Sequence, residues 1–407
     1  MCGGVGPLGG RTRTIMTISS GRRRRRPAAP VLRLLTLAAA LLLTACGTLP
    51  RDVFDPAGPR PETPSAMLDL RFTARDASAA ISNAEPVKAR LQAERGGFNV
   101  LALSGGGANG AYGAGVLAGW SRTGKRPKFD IVTGVSTGAL AAPFAYLGPA
   151  WDDRMKAAYT GGGADDLIGL RALNAFRSPS LFSAAPIRRL VEQYVDAALL
   201  RAVAVEHARG RRLLVATTNL DTQETTIWDM GAIATRADPA AVKLFQDVLV
   251  ASSSIPGVFP PVMIGLDGPA GRFSEMHADG GVMTPFFTVP DSLLLWTDPE
   301  GGVHKGAIFV LINGQTGSSF GVTRGTLVGI LSRSYDAMSK ASTRTLLAAT
   351  AAFATRNGLT LQVSEIPETA EAQGLNFKAD NMGRLFQLGY DRAVAGDAWH
   401  APASPDA

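Results

Sequence analysis

Two short apolar runs that each end in a glycine-rich turn constrain this fold more than any other feature. Phe98-Asn99-Val100-Leu101-Ala102-Leu103 leads into Ser104-Gly105-Gly106-Gly107-Ala108-Asn109-Gly110, and a small-residue, helix-like stretch follows to about Trp120. Residues 131–135 lead in the same way into Ser136-Thr137-Gly138, with helix-like sequence from 137 to about 147. Apolar runs of this length, bounded by turn residues, read as strands buried on both faces. Strand, turn and helix in alternation predict an α/β fold with helices on both faces of the sheet. Further strands are expected at 213–218, 225–228 and 307–312. A helix should begin at Asp238-Pro239, a capping residue followed by proline at the first helical position. The stretch from about 323 to 356 also reads as helical. Its Arg324, Arg333, Lys340 and Arg344 exclude a membrane span.

The charge of the chain is uneven. Of its 407 residues, 41 are Lys or Arg and 34 are Asp or Glu, a formal net charge of +7. Eight arginines (Arg11, Arg13, Arg22 to Arg26 and Arg33) fall within residues 1–45, which hold no acid. The remainder carries 33 basic and 34 acidic residues, a net charge of about −1. The basicity therefore belongs to a leader, and a nucleic-acid partner loses its support. After the arginines, residues 34–45 form an apolar stretch suited to the core of a signal peptide and too short to span a bilayer. It ends in Leu43-Thr44-Ala45-Cys46, which resembles the lipobox of bacterial lipoproteins. That resemblance implies lipidation of Cys46 as the mature N-terminus, and Gly47 after it favours the outer membrane. A soluble secreted or periplasmic protein is the alternative, and Met16 is a candidate start. Five prolines among residues 47–66 make a tether, and 67–97 reads as a charged, helical lead-in.

The rarest side chains narrow the chemistry. The two cysteines are Cys2 and Cys46, so a chain processed at Cys46 would hold no thiol pair. The four histidines (His207, His277, His304 and His400) show no HExxH spacing, which argues against a zinc site, and no other metal or cofactor is expected.

Three short motifs remain. Gly134-Val135-Ser136-Thr137-Gly138 lies between a predicted strand and a predicted helix, where flanking glycines permit a tight turn that exposes a serine hydroxyl. The helix start supplies positive potential and free N–H groups where an oxyanion would form. The glycine run admits two readings. Gly105, Gly107 and Gly110 satisfy G-x-G-x-x-G, but a dinucleotide fold wants an acid at the end of the next strand. Asp130 stands at the start of that strand instead. A phosphate-binding P-loop lacks its lysine. The competing role is an oxyanion hole, with backbone N–H groups converging on an anion. In His277-Ala278-Asp279-Gly280-Gly281, the aspartate is either part of a surface turn or a base for the serine.

Together, and in this order, the motifs resemble the patatin-like phospholipase family. The block Ala251-Ser252-Ser253-Ser254-Ile255-Pro256-Gly257-Val258-Phe259-Pro260-Pro261 also looks like the family's segment before the aspartate. The likeness covers residues 98–290, in a hydrolase domain expected over 98–397 with a disordered tail at 398–407. It implies a three-layer α/β/α sandwich with a mostly parallel central sheet. It further implies Ser136 as nucleophile, Asp279 as base, and an oxyanion hole at Gly105, Gly106, Gly107 and Gly110. Gly134 and Gly138 would shape the serine elbow, and Gly280 and Gly281 complete the aspartate motif. The implied substrate is a lipid or phospholipid ester. One departure is Asn109, where members commonly carry Arg or Lys.

Rival readings stay open on the residues alone. An α/β-hydrolase triad would recruit His304 or His400. A non-catalytic lipid-binding protein would hold a headgroup on the glycine loop. His277 and Asn109 are pocket candidates, although a structural role fits His277 equally well. Phe144, Tyr146, Phe286 and Phe287 are either acyl-pocket lining or core. Residues 151–182 form either a mobile cover or a long surface connection.

Overall fold

A computed structural model describes residues 97–165, 167, 180–268, 271–290, 294–295, 306–323 and 325–402, together with 49, 51, 67, 69–76, 79, 82 and 85. All of these belong to the unit spanning 47–407. The expected leader, Cys46, most of the tether and His304 lie outside the described residues.

The first apolar run forms β2 (Phe98–Leu103) and the second forms β3 (Ile131–Val135), preceded by a short β1 (Arg71–Thr73). The chain continues through β4 (Arg212–Asn219), β5 (Glu224–Asp229), β6 (Val262–Gly268), β7 (Gly271–Asp279), β8 (Gly306–Ile312) and β9 (Thr360–Glu365). The strands lie in the order β1-β5-β4-β3-β2-β8-β9, with the β6–β7 hairpin joined to β4. From β4 to β9 every neighbouring pair is parallel, and every antiparallel pair involves β1, β5, β6 or β7. The parallel core explains why β2 and β3 are largely apolar and why every residue of β4 is buried: both of their faces are covered.

Side chains alternate across that core. Leu101 and Leu103 join the larger cluster, with Tyr112, Phe144, Leu199 and Phe245 from the helices of one face. Val100 and Ala102 point the other way, onto Ile308, Val310 and Phe353. The larger face carries α1 (Gly110–Arg122), α2 (Thr137–Leu147), α3 (Asp152–Thr160), α4 (Ala185–Tyr194), α5 (Ala197–Ala208), α6 (Met230–Thr235), α7 (Pro239–Ser252) and α9 (Ala379–Ala395). The opposite face is covered by the long α8 (Leu327–Arg356). The architecture is the three-layer α/β/α sandwich, with its helices shared unequally. Helix α7 starts as expected, with the Asp238 carboxylate accepting from Ala241 N at 2.7 Å. No helix among the described residues is long and apolar enough to cross a membrane.

Two expectations are corrected. The lead-in at 67–97 contains strand β1, which pairs with β5 through Phe72 and Ile227. The tail is not wholly disordered. Ala398 is buried, and His400 pairs with Val363 on β9.

Candidate active site

The register of β4 brings the motifs together. Strand β3 runs beside β4 as far as Val135, opposite Ala216. There the chain leaves the sheet, and β7 takes up pairing with β4 one residue further on, Asp279 opposite Thr217. The residue that follows β3 and the residue that ends β7 thus compete for the same slot beside β4. They are Ser136 and Asp279, and Ser136 Oγ donates to Asp279 Oδ2 at 2.6 Å.

Ser136 sits on a sharp elbow with φ 55° and ψ −127°, a conformation L-residues rarely adopt and one that costs about 1–3 kcal/mol. The surroundings hold it there. Its N–H donates to Ser252 Oγ at 3.0 Å, and Ser252 Oγ donates onward to Ala216 O at 2.7 Å. Ser253 Oγ donates to Ser136 O at 3.2 Å, while Asp279 N donates to Ser254 O at 3.0 Å. The three serines at the end of α7 therefore fasten the elbow and the aspartate to one another. The sequence marks this block, but nothing in it assigns these bonds.

Asp279 is fully buried. Its Oδ1 accepts from Gly281 N at 2.7 Å, and Thr218 Oγ1 donates to its carbonyl at 2.9 Å. Burial pushes its pKa up to about 7, against the smaller opposing pull of the Ser136 and Gly281 hydrogen bonds. A carboxylate titrating near neutrality suits a base that takes a proton and returns it.

The glycine turn approaches from the β2 side. A Cβ at Gly105 would lie 3.2 Å from Ser136 Cβ, so the turn passes directly beside the serine. Gly106 and Gly107 both have positive φ, and a side chain on either would strike the backbone. At Gly106 it would lie 1.9 Å from Asn313 O, and at Gly107 2.1 Å from Gly374 O. Gly105 N donates to Pro285 O at 3.1 Å, and Gly110 N is used by the turn itself, on Gly107 O. Among the described residues, the N–H groups of Gly106 and Gly107 have no acceptor. Of the four glycines expected to form an oxyanion hole, these two keep free donors, while Gly105 and Gly110 shape the turn. Asn313, which the sequence reading missed, anchors it: its N and Nδ2 donate to Ser104 Oγ and Ser104 O, each at 2.8 Å.

The remaining candidates separate. Asn109 is buried at the foot of α1, its N–H on Gly106 O at 3.2 Å. His277 is fully buried and does not open onto the site. Trp228 Nε1 donates to Thr217 Oγ1, which donates to His277 Nδ1 at 2.9 Å, and the His277 Nε2–H donates to Glu275 at 3.0 Å. Burial holds its pKa below the ordinary value, and Arg71 completes the network by pairing with Glu275 and covering the Trp228 ring. His400 lies against β9, the far edge of the sheet, with Nδ1 on Ala401 O. Asp130 accepts from Asn99 N at 2.6 Å at the start of β3, away from the glycine turn.

An apolar cavity of about 50 Å³ touches Gly107 of the turn and Thr137, the residue after the serine. Gly107 and Thr137 stand at one end, and Leu140, Phe144, Val191 and Met382 line its walls. Tyr159 fixes the Thr137 end, its hydroxyl donating to Thr137 O at 2.6 Å. Of the four aromatics singled out in sequence, Phe144 faces this cavity. Tyr146, Phe286 and Phe287 are core. The expected cover or connection at 151–182 holds α3, and residues 166 and 168–179 lie outside the described part.

Residues 101–289 match the profile of the patatin-like phospholipases. That part of the chain is thus similar to the patatin-like phospholipases. The matched stretch contains the glycine turn, the serine elbow, the serine block and the aspartate, and ends just before the residues that lead to β8. Among solved structures, VipD from Legionella pneumophila aligns over 76% of this chain and 68% of its own, at 14% identity and a TM-score of 0.36. No curated protein shows a significant match. The likeness supports hydrolysis of lipid acyl esters as the general class of activity.

Proposed function

We propose that this protein is a patatin-like phospholipase that hydrolyses phospholipid acyl esters through a Ser136–Asp279 dyad at the cell envelope. The observation that carries the reading is the 2.6 Å hydrogen bond between Ser136 Oγ and the buried Asp279. Asp279 takes the proton as Ser136 attacks the ester carbonyl. The N–H groups of Gly106 and Gly107 stabilise the oxyanion, each such donor being worth about 3 kcal/mol. Asp279 then protonates the departing alcohol oxygen as the ester C–O bond breaks. Water, with Asp279 again as base, releases the fatty acid from the acyl-serine.

The apolar cavity beside Thr137 supports an acyl-chain site, since its walls offer nothing to a polar headgroup. Val282 and Met283, exposed next to the aspartate motif, suit a substrate drawn from a lipid surface. The arginine-rich leader and Cys46 support a lipid-anchored protein of the outer membrane.

The test is incubation with mixed phospholipid vesicles, followed by mass analysis of the lipids. Wild type should release free fatty acid and the matching lysophospholipid, and Ser136→Ala should release none. Intact vesicle lipid in the presence of folded wild-type protein would refute the reading. Cys46→Ala tests the anchor: it should abolish incorporation of a clickable fatty acid and move the protein from the membrane to the soluble fraction. Unchanged labelling and partitioning would refute that part alone.

A further inference from the structure

The dyad has a neighbour that lies outside the segment matched to the family. Tyr335 sits in the N-terminal half of α8, on the smaller helical layer, and the residue is 37% exposed. Its hydroxyl lies on the aspartate side of the dyad. A Cβ built on Gly281 would stand 3.1 Å from Tyr335 Oη and 3.0 Å from Asp279 Oδ1. The phenol and the carboxylate therefore border one small space above Gly281, which exists because residue 281 has no side chain. No hydrogen bond joins the two, and the phenol has no partner among the described residues, whereas both Asp279 oxygens are engaged.

This rests on the dyad reading above. In that reaction the proton taken from Ser136 must pass from Asp279 to the alcohol oxygen, so the leaving group has to come within hydrogen-bond reach of the carboxyl. The oxyanion donors of Gly106 and Gly107 stand on the glycine-turn side of the serine, and the acyl cavity opens beside Thr137. The alcohol half of the ester is left with the Gly281 side. We propose that Tyr335 is a further catalytic residue, whose phenol O–H donates a hydrogen bond to the leaving alcohol oxygen of the substrate. The phenol keeps its proton throughout. As the C–O bond breaks, electron density collects on the alcohol oxygen, Tyr335 holds that oxygen, and Asp279 delivers the proton that neutralises it. Burial of the hydroxyl end and the nearby carboxylate raise the tyrosine pKa, which keeps it a donor.

A donor to the leaving group matters in proportion to how poor that group is. The test compares kcat/KM of wild type and Tyr335→Phe on two esters of one fatty acid, a p-nitrophenyl ester and an alkyl or phospholipid ester. The expected result is a fall of roughly ten- to hundredfold on the alkyl ester, with the aryl ester changed less than about threefold. Labelling of Ser136 by a fluorophosphonate, which needs no alcohol to leave, should proceed at the wild-type rate. Equal loss on both esters would mean that Tyr335 only supports the local structure, and no loss on either would mean that it does not touch the leaving group. Either result overturns the proposal. Failure of wild type itself to label would sink the dyad, and this proposal with it.

Discussion

The buried Asp279 should reveal itself in stability as well as rate, through one titration. Its pKa rises from an ordinary 3.8 to about 7 because the ionised form is costly in a site closed to water. That rise corresponds to roughly 4 kcal/mol of folding free energy. The folded chain binds its proton more tightly than the unfolded chain, so this contribution favours folding below pH 4 and is lost as pH climbs to about 7. Asp279→Asn keeps the shape and the Gly281 N–H bond but has nothing to titrate. Its advantage over wild type should therefore grow by roughly 3 kcal/mol between pH 5 and pH 8, several degrees in the melting temperature. The assay is thermal or urea unfolding of both proteins at each pH. Over the same range, kcat/KM of wild type should rise about a hundredfold from pH 5 to a plateau above pH 7, because only the ionised carboxylate accepts the serine proton. A constant stability difference between the two proteins, or a rate flat across this range, would mean that Asp279 neither carries the raised pKa nor acts as the base.

Other consequences follow from the same geometry. Ser252→Ala strips the Ser136 N–H and the Ala216 carbonyl of their shared partner, and should cost about 1–3 kcal/mol in unfolding experiments and of order tenfold in kcat. Gly106→Ala places a Cβ against the Asn313 carbonyl and would displace the proposed oxyanion donor, so ester hydrolysis should fall about a hundredfold or more. Leu140→Trp narrows the apolar cavity, and competition between short- and long-chain esters should shift toward the short one by roughly tenfold.

How far the sequence foretells this structure depends on where each signal sits. Strands β2, β3, β8 and the first half of β4 announce themselves because a covered parallel sheet favours apolar runs, whereas the antiparallel β5 is legible from its β-branched and aromatic residues Thr225, Thr226, Ile227 and Trp228. Strand β7, Gly-Arg-Phe-Ser-Glu-Met-His-Ala-Asp, is not. Its polar residues are satisfied by partners distant in sequence: Glu275 by Arg71 and His277 by Thr217. Without β7 the meeting of Ser136 and Asp279 can be inferred only from family likeness. The fold makes it a matter of register on β4. The division of labour among the glycines was likewise hidden, since it depends on the carbonyls of Pro285, Asn313 and Gly374. Tyr335 carries no local signal, because its approach to the dyad depends on how α8 packs across the sheet.

The dyad itself is tested most directly by reacting purified protein with a fluorophosphonate and mapping the adduct by mass. Wild type should be labelled at Ser136, Ser136→Ala should stay unlabelled, and Asp279→Asn should be labelled far more slowly. Labelling that ignores the Asp279 substitution, or that falls on another serine, would contradict the account.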